Sequence, residues 1–141
     1  MKFAGIAFAI ALAFYAGQSF AQEDGKPASQ AVGAGGELFK KRCAPCHSLA
    51  DGRNGNGPSL FGIIDRKAAD LSSFKYSRAL RQMAADDSLI WSEENLTRFL
   101  ARPSLLVPGT RMAFPGVKKE EDLANLIAWI KANSGPPSSE P

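Results

Sequence analysis

The sequence predicts an all-α domain with three main helices, a short helix and long irregular loops. β-Branched residues, which strands favour, are scarce: the 141 residues include three valines, seven isoleucines and two threonines. Apolar side chains instead recur at helical spacing, most clearly near the C-terminus. Glycines and prolines mark the segments between the predicted helices. The length suits one small domain and is too short for two ordinary ones.

The first 21 residues have the pattern of a secretory signal peptide. Lys2 precedes an uncharged stretch over residues 3–17, and Ser19 and Ala21 give a small-x-small cleavage pattern. A helix of about fifteen residues rises about 22 Å, whereas the hydrocarbon core of a bilayer is about 30 Å thick. A cleaved leader (1–21) is therefore favoured over a retained anchor. We expect a periplasmic protein without permanent membrane insertion.

Composition delimits one domain in the rest of the chain. Residues 22–34 contain almost no large apolar side chains, which predicts a flexible linker. Residues 135–141 are rich in proline and serine and predict a disordered tail. The folded domain is expected over residues 35–134.

Local patterns place the helices within this domain. The first is expected over about residues 36–44. The second begins near Ser92, whose hydroxyl can cap it, and ends at Pro103. The third spans about residues 119–133, with acidic residues in its first turn and an apolar stripe at helical spacing. A short helix is expected around residues 77–84.

Both cysteines and the single histidine of the chain lie in the motif Cys43-Ala44-Pro45-Cys46-His47. This Cys-x-x-Cys-His spacing is the attachment motif of a c-type haem. Two thiols on one helical turn can bond the two vinyl-derived carbons at one edge of the porphyrin. The next residue then lies beneath the ring and offers an imidazole nitrogen to the iron. The motif therefore predicts one covalent haem.

Three alternative interpretations of the motif are less favoured. A thioredoxin-like dithiol would require a preceding strand and a βαβ pattern, and neither is visible. A disulfide between Cys43 and Cys46 would close a very small loop and leave His47 without a role. A zinc site would need further Cys or His ligands, and no pattern indicates carboxylates that could replace them.

A second axial ligand must come from elsewhere in the chain. After the leader there are two methionines, Met83 and Met112. Met83 lies in a helix-like stretch where ordinary packing explains it. Met112 lies in a Pro- and Gly-rich loop that can present a thioether to the far face of the ring. Methionine commonly fills gaps in a core, but the lack of a second histidine favours Met112 as a ligand.

These motifs, taken in order, resemble those of class I cytochromes c, the mitochondrial type and its bacterial relatives. The resemblance covers nearly the whole expected domain, from residue 35 to about 133. The matching positions are Gly35, Leu38, Phe39, residues 43–47, residues 57–62, Arg66, Lys67, residues 74–76, Trp91, Pro103, residues 108–112, Phe114, Leu126 and Trp129.

The resemblance implies a role for each matching position. Cys43 and Cys46 would carry the thioethers, His47 would be the proximal iron ligand and Met112 the distal one. The carbonyl of Pro58 would accept a hydrogen bond from the ring of His47. Three donors would satisfy the haem propionates. They are Arg66, Tyr76 and Trp91.

The sequence also departs from the family pattern. Phe99 stands where many members have a tyrosine near the methionine sulfur, and Leu80 stands at a commonly polar position. A small insertion is expected over residues 83–87. The changes at Phe99 and Leu80 are expected to shift the reduction potential and the strength of the methionine bond. At the positions that do match, the resemblance implies that the first and last helices cross through Phe39 and either Leu126 or Trp129.

The resemblance implies a soluble, monomeric one-electron carrier that shuttles electrons between exported or membrane redox enzymes of a respiratory chain. Because His47 and Met112 fill both axial positions, we do not expect an enzyme. The alternative is a haem-based sensor or peroxidase in which Met112 dissociates. A dedicated acceptor for one dehydrogenase is a further alternative that the sequence does not separate from a general carrier.

Redox partners are expected to dock on basic residues near the haem motifs. The net charge of +3 is small, so the steering field is weak. Nothing in the sequence supports nucleic-acid binding. The basic residues are Lys40, Lys41, Arg42, Lys75, Arg111, Lys118 and Lys119.

Overall fold

The structure, a computed structural model, describes residues 28–86 and 88–136. Within these ranges the chain forms helices and loops without a β-strand, and an isolated antiparallel bridge pairs Lys67 with Ile90. This confirms the predicted all-α fold. The predicted signal peptide and most of the predicted tail lie outside the described residues. The helices are α1 (Ala28–Arg42), α2 (Arg78–Ala85), α3 (Glu93–Ala101), α4 (Pro103–Leu106) and α5 (Glu120–Asn133).

Helix α1 differs from its prediction at both ends. It begins at Ala28 instead of near residue 36, so the second part of the segment predicted as a flexible linker (22–34) is helical. Glycines in this segment lower its helix propensity, which explains why local pattern places the start too late. The helix ends at Arg42, where a cluster of basic residues suits the negative end of the helix dipole.

Serine caps start α2 and α3, and of these the sequence predicts the cap at Ser92 and only a short helix around residues 77–84. The Oγ of Ser77 accepts a hydrogen bond from the Leu80 N–H at 3.1 Å, and the Oγ of Ser92 accepts one from Asn95 at 3.2 Å. Helix α4 was not predicted. Pro103 ends the α3 pattern, but its fixed φ also favours the first turn of a new helix, and α4 begins on it.

The crossing of α1 and α5 forms the centre of the core. The ring centroids of Phe39 and Trp129 lie 4.6 Å apart, and Leu126 is fully buried. Gly35 permits the close approach, because a Cβ there would overlap the backbone carbonyl of Asn125. Helix α3 packs against both α4 and α5. The expected helix crossing is therefore present, and it fixes the end of α1 from which the cysteine motif continues.

Candidate functional site

The cysteine motif forms a tight turn directly after α1. The N–H groups of Cys46 and His47 both donate to the carbonyl of Cys43, at 3.0 and 2.9 Å. Cys43 is buried, Cys46 is exposed, and both are free thiols. Burial raises the pKa of the Cys43 thiol to about 11, while the Arg42 charge acts in the opposite direction. Cys43 is therefore protonated at neutral pH. Because neither cysteine is engaged in a disulfide, both sulfur atoms can form thioether bonds.

One hydrogen bond orients the ring of His47. Its Nδ1 lies 2.8 Å from the carbonyl oxygen of Pro58, which is the contact that the resemblance implies. A carbonyl can only accept, so Nδ1 carries the hydrogen and Nε2 keeps its lone pair. Burial lowers the pKa of the imidazole, and the Pro58 carbonyl opposes that shift. His47 thus presents an unprotonated nitrogen, the form that ligates iron.

Gly57 lies directly against the imidazole of His47. A Cβ at this position would overlap the ring atoms Cε1, Nδ1 and Nε2. The Gly57 N–H donates to the carbonyl of Cys46 at 2.8 Å. Only glycine therefore lets the backbone pass so close to the ring while remaining bonded to the cysteine turn.

Asn54 supports the loop that carries Pro58. Its Oδ1 accepts a hydrogen bond from the Ser59 N–H at 2.9 Å, and its Nδ2 donates to the Ser73 Oγ at 3.0 Å. Sequence reasoning did not identify this residue. An asparagine within a Gly-rich loop was the available signal, since its amide can bond to nearby backbone.

The structure brings together the three residues expected to contact the propionates. Arg66, Tyr76 and Trp91 are all buried. The backbone N–H of Trp91 donates to the backbone carbonyl of Arg66 at 2.9 Å, which aligns these two residues on neighbouring segments. Burial raises the pKa of the Tyr76 hydroxyl, and the Arg66 guanidinium acts against that rise. The three donors therefore share one buried region of the domain.

The guanidinium of Arg66 is only partly satisfied by the protein. Its Nη1 donates to the Phe61 carbonyl at 2.7 Å and its Nη2 to the Ser59 carbonyl at 2.9 Å, but Nε is buried without a partner. A buried unpaired donor costs roughly 1–3 kcal/mol. Burial also lowers the pKa of Arg66. An anion such as a propionate would supply the missing acceptor, so these residues fit the haem.

Met112 lies in the loop between α4 and α5. The residue is half-buried and packs against the core. Its N–H donates to the Thr110 Oγ1 at 3.3 Å, and its carbonyl accepts from the Phe114 N–H at 2.9 Å. These bonds fix the backbone that carries the thioether. Met83 lies on α2 and is also half-buried, as its helical context predicts.

Phe99 and Leu80, the two departures from the family pattern, are both buried. The ring centroid of Phe99 lies 4.9 Å from that of Trp91. Phe99 therefore fills the space beside Trp91 with an apolar ring that has no hydroxyl to donate.

The basic residues expected at the docking surface are exposed, except that Arg42 is half-buried. Among the described residues, no three His, Cys, Asp or Glu side chains are grouped as metal ligands. In the same part of the chain no helix combines the length and apolar character needed to cross a membrane.

A sequence model of the cytochrome c family matches residues 32–134. The chain belongs to the cytochrome c family. Its cofactor is therefore a covalent c-type haem, and its general function is haem-based electron transport. The cysteine motif had predicted the haem, and the resemblance had implied electron transport.

Three relatives illustrate the similarity. Cytochrome c2 iso-2 of Magnetospirillum fulvum is 43% identical over 90 residues, which cover 64% of this chain and 90% of that protein. Cytochrome c of Euglena viridis is 38% identical over 97 residues, covering 69% and 91%. The solved structure of cytochrome cH from Methylobacterium extorquens superposes with a TM-score of 0.64 at 33% identity, covering 72% of this chain and 97% of that chain.

Proposed function

We propose that this member of the cytochrome c family carries single electrons between redox enzymes of the periplasm or its bounding membrane. Its iron would be held by His47 and Met112. The observation that supports this most directly is the hydrogen bond from the His47 Nδ1–H to the Pro58 carbonyl. That bond leaves Nε2 as the one ring nitrogen able to bind a metal, immediately after the two cysteines.

Different residues of the chain would attach the haem, ligate its iron and compensate the charge of its propionates. The haem, when bound, supplies the one-electron couple. Cys43 and Cys46 would attach it, and the buried donors Arg66, Tyr76 and Trp91 would compensate the propionate charge. Met112 would be the second protein ligand of the iron and would raise the reduction potential relative to a stronger donor. Ligands fixed by the surrounding protein need little rearrangement when the charge on the iron changes.

The same arrangement supports a carrier over an enzyme. If His47 and Met112 both hold the iron, neither a substrate nor oxygen would have a free place to bind to it. A sensor or peroxidase would require Met112 to leave the iron. Hydrogen bonds on both sides of Met112 restrain its backbone, and this restraint favours the carrier.

The proposed location follows from the leader pattern over residues 1–21. Export and cleavage after Ala21 would give a mature chain that starts at Gln22, with haem attached in the periplasm. Exposed basic residues around the motifs would face acidic surfaces of respiratory-chain partners. Mass spectrometry of the purified periplasmic protein tests this, because a retained leader would contradict it.

A redox titration with parallel cyanide binding tests the carrier function. The holoprotein should titrate as a one-electron couple, and the oxidised form should bind added cyanide slowly. Rapid cyanide binding together with turnover of peroxide would instead support the sensor or peroxidase. The electron-transfer rate with a partner should fall as ionic strength rises, since attraction between exposed charges is screened.

A further inference from the structure

Arg42 joins the end of α1 to the loop that carries Met112. Its Nη2 donates to the carbonyl of Gly116 at 3.2 Å, and the two residues are 74 positions apart in the chain. Its guanidinium carbon also lies 4.7 Å from the ring centroid of Phe114. The side chain is half-buried, unlike the exposed lysines that precede it on the same helix. Arg42 therefore makes two defined contacts where Lys40 and Lys41 are surface charges.

The positions of these contacts are specific. Arg42 immediately precedes Cys43, while Phe114 and Gly116 follow Met112 by two and four residues. On the other side of Met112, the Arg111 side chain donates to the carbonyl of Lys75. The ligand loop is thus fastened on both flanks, and Arg42 links its C-terminal flank to the helix that leads into the cysteine motif.

A planar guanidinium suits this pair of contacts. Its face can lie on an aromatic ring while an N–H at its edge donates to a carbonyl, whereas an ammonium group lacks the planar face and the fork of donors. A thioether is a weak, uncharged ligand. The strength of its attachment therefore depends on how firmly the loop that bears it is held.

We propose that Arg42 is a positioning residue for the distal ligand: it restrains the loop around Phe114 and Gly116 and thereby slows the release of Met112 from the iron. This inference rests on the proposed His47 and Met112 ligation. For Met112 to leave, the loop must move, and that movement must break the contact with the Phe114 ring and the bond to the Gly116 carbonyl.

Cyanide binding to the oxidised holoprotein tests the proposal, because the ligand can bind only after Met112 has left. At pH 7 the reagent is mostly neutral hydrogen cyanide, so a changed surface charge barely alters its approach. Arg42→Gln should bind cyanide about tenfold faster than wild type, since one hydrogen bond and one cation–π contact are lost. The cyanide-binding rate of Arg42→Lys should lie between those of wild type and Arg42→Gln. Phe114→Leu should also bind cyanide faster than wild type.

Two control variants separate positioning from charge and from general stability. Lys41→Gln removes the same charge from the exposed neighbour on α1, and its rate should stay within about twofold of wild type. Ser92→Ala removes the α3 cap and should lower the melting temperature without raising the cyanide rate. The double variant Arg42→Gln/Phe114→Leu should accelerate cyanide binding by less than the product of the two single accelerations, because both changes remove the same contact.

Each outcome decides the matter. If Arg42→Gln, Arg42→Lys and Phe114→Leu all bind cyanide at the wild-type rate, Arg42 does not position the ligand. If Ser92→Ala accelerates binding as much as Arg42→Gln does, general stability controls the rate and the proposal is overturned. If wild type already binds cyanide as fast as Met112→Ala, the His/Met ligation itself fails, a result distinct from the other two.

Discussion

The segments that carry the two proposed iron ligands are held in different ways. On the proximal side, the functional side chain itself is fixed: the His47 ring bonds to Pro58 at 2.8 Å and lies against Gly57. On the distal side, the backbone is fixed: Met112 is held through turns and through side chains that contact its loop, such as Arg42. An imidazole has a second nitrogen that can be tethered, whereas a thioether has no donor.

This difference separates two kinds of failure. The proximal ligand and the two cysteines lie within a few residues of one another. A substitution in the proximal segment therefore affects both iron ligation and haem attachment. Substitutions that affect the distal segment act through the mobility of the Met112 loop, and they can lie at residues distant from Met112 in sequence. We therefore expect proximal substitutions to affect assembly and distal substitutions to affect ligand exchange in a protein that still assembles.

The largest effect is expected from the cysteines. Cys43→Ala or Cys46→Ala removes one thioether, and the double variant removes both, so covalent haem retention should fall in the single variants and vanish in the double one. Intact mass of the denatured protein measures this directly. Met83→Ala serves as a control and should retain haem. A covalently attached haem in the double variant would exclude these residues as the attachment site.

Replacement of Met112 should remove the distal iron ligand and leave haem attachment intact. Met112→Ala is expected to keep its covalent haem, lose the Met–iron absorption band and lower the reduction potential, because Met/His ligation raises it. Absorption spectroscopy and a redox titration measure the change. Met83→Ala is the matched control, and survival of the band in Met112→Ala but not in Met83→Ala would transfer the ligand role to Met83.

A smaller effect on the proximal side is expected from Gly57→Ala. The added Cβ overlaps the His47 ring, so the ring must shift or the loop must move. Such overpacking typically costs about 1–3 kcal/mol. Chemical denaturation and the reduction potential should both change. Gly33→Ala is the control, because a Cβ there meets nothing within 4 Å and should be neutral or stabilising.

Mild acid should provide the smallest and most selective test. Burial lowers the pKa of His47 below its ordinary value of 6.5, and an iron bound at Nε2 would oppose protonation further, so the folded state binds this proton less readily than the unfolded state. The resulting stability is fully present above pH 6.5 and is lost as pH falls through the folded-state pKa. His47 is the single histidine of the chain, and carboxylates titrate mainly near pH 4.

Denaturation midpoints measured at small pH intervals below neutrality would show this loss. Met112→Ala should have a similar acid dependence, because its missing thioether does not titrate. A stability that is flat until the carboxylates titrate would mean that the imidazole makes no such contribution.

The sequence predicted the parts of this molecule that depend on local chemistry. The Ser92 cap and the cysteine motif follow from short patterns with a direct physical cause. The crossing of the first and last helices was implied by the family resemblance. Two local elements were missed. The start of α1 lies in a glycine-containing segment whose helix propensity is low. Helix α4 begins on a proline that, from sequence, predicts the end of the preceding helix.

Contacts between residues distant in the chain also could not be predicted from the sequence. The Asn54 bond to Ser73 and the Arg42 contacts with Phe114 and Gly116 join segments whose separation in the chain gives no periodic signal. From sequence, Arg42 belongs with the basic residues of a docking surface. The structure shows that part of its surface is occupied within the molecule, and this occupancy distinguishes it from the lysines beside it.

The absorption spectrum and intact mass of the purified protein test the proposed ligand set most directly. The mass should equal the mature chain plus one haem, and the oxidised spectrum should show the Met–iron band, with slow replacement of that band when cyanide is added. A mass without haem, or an attached haem that lacks the band and binds cyanide at once, would contradict the His47 and Met112 ligation.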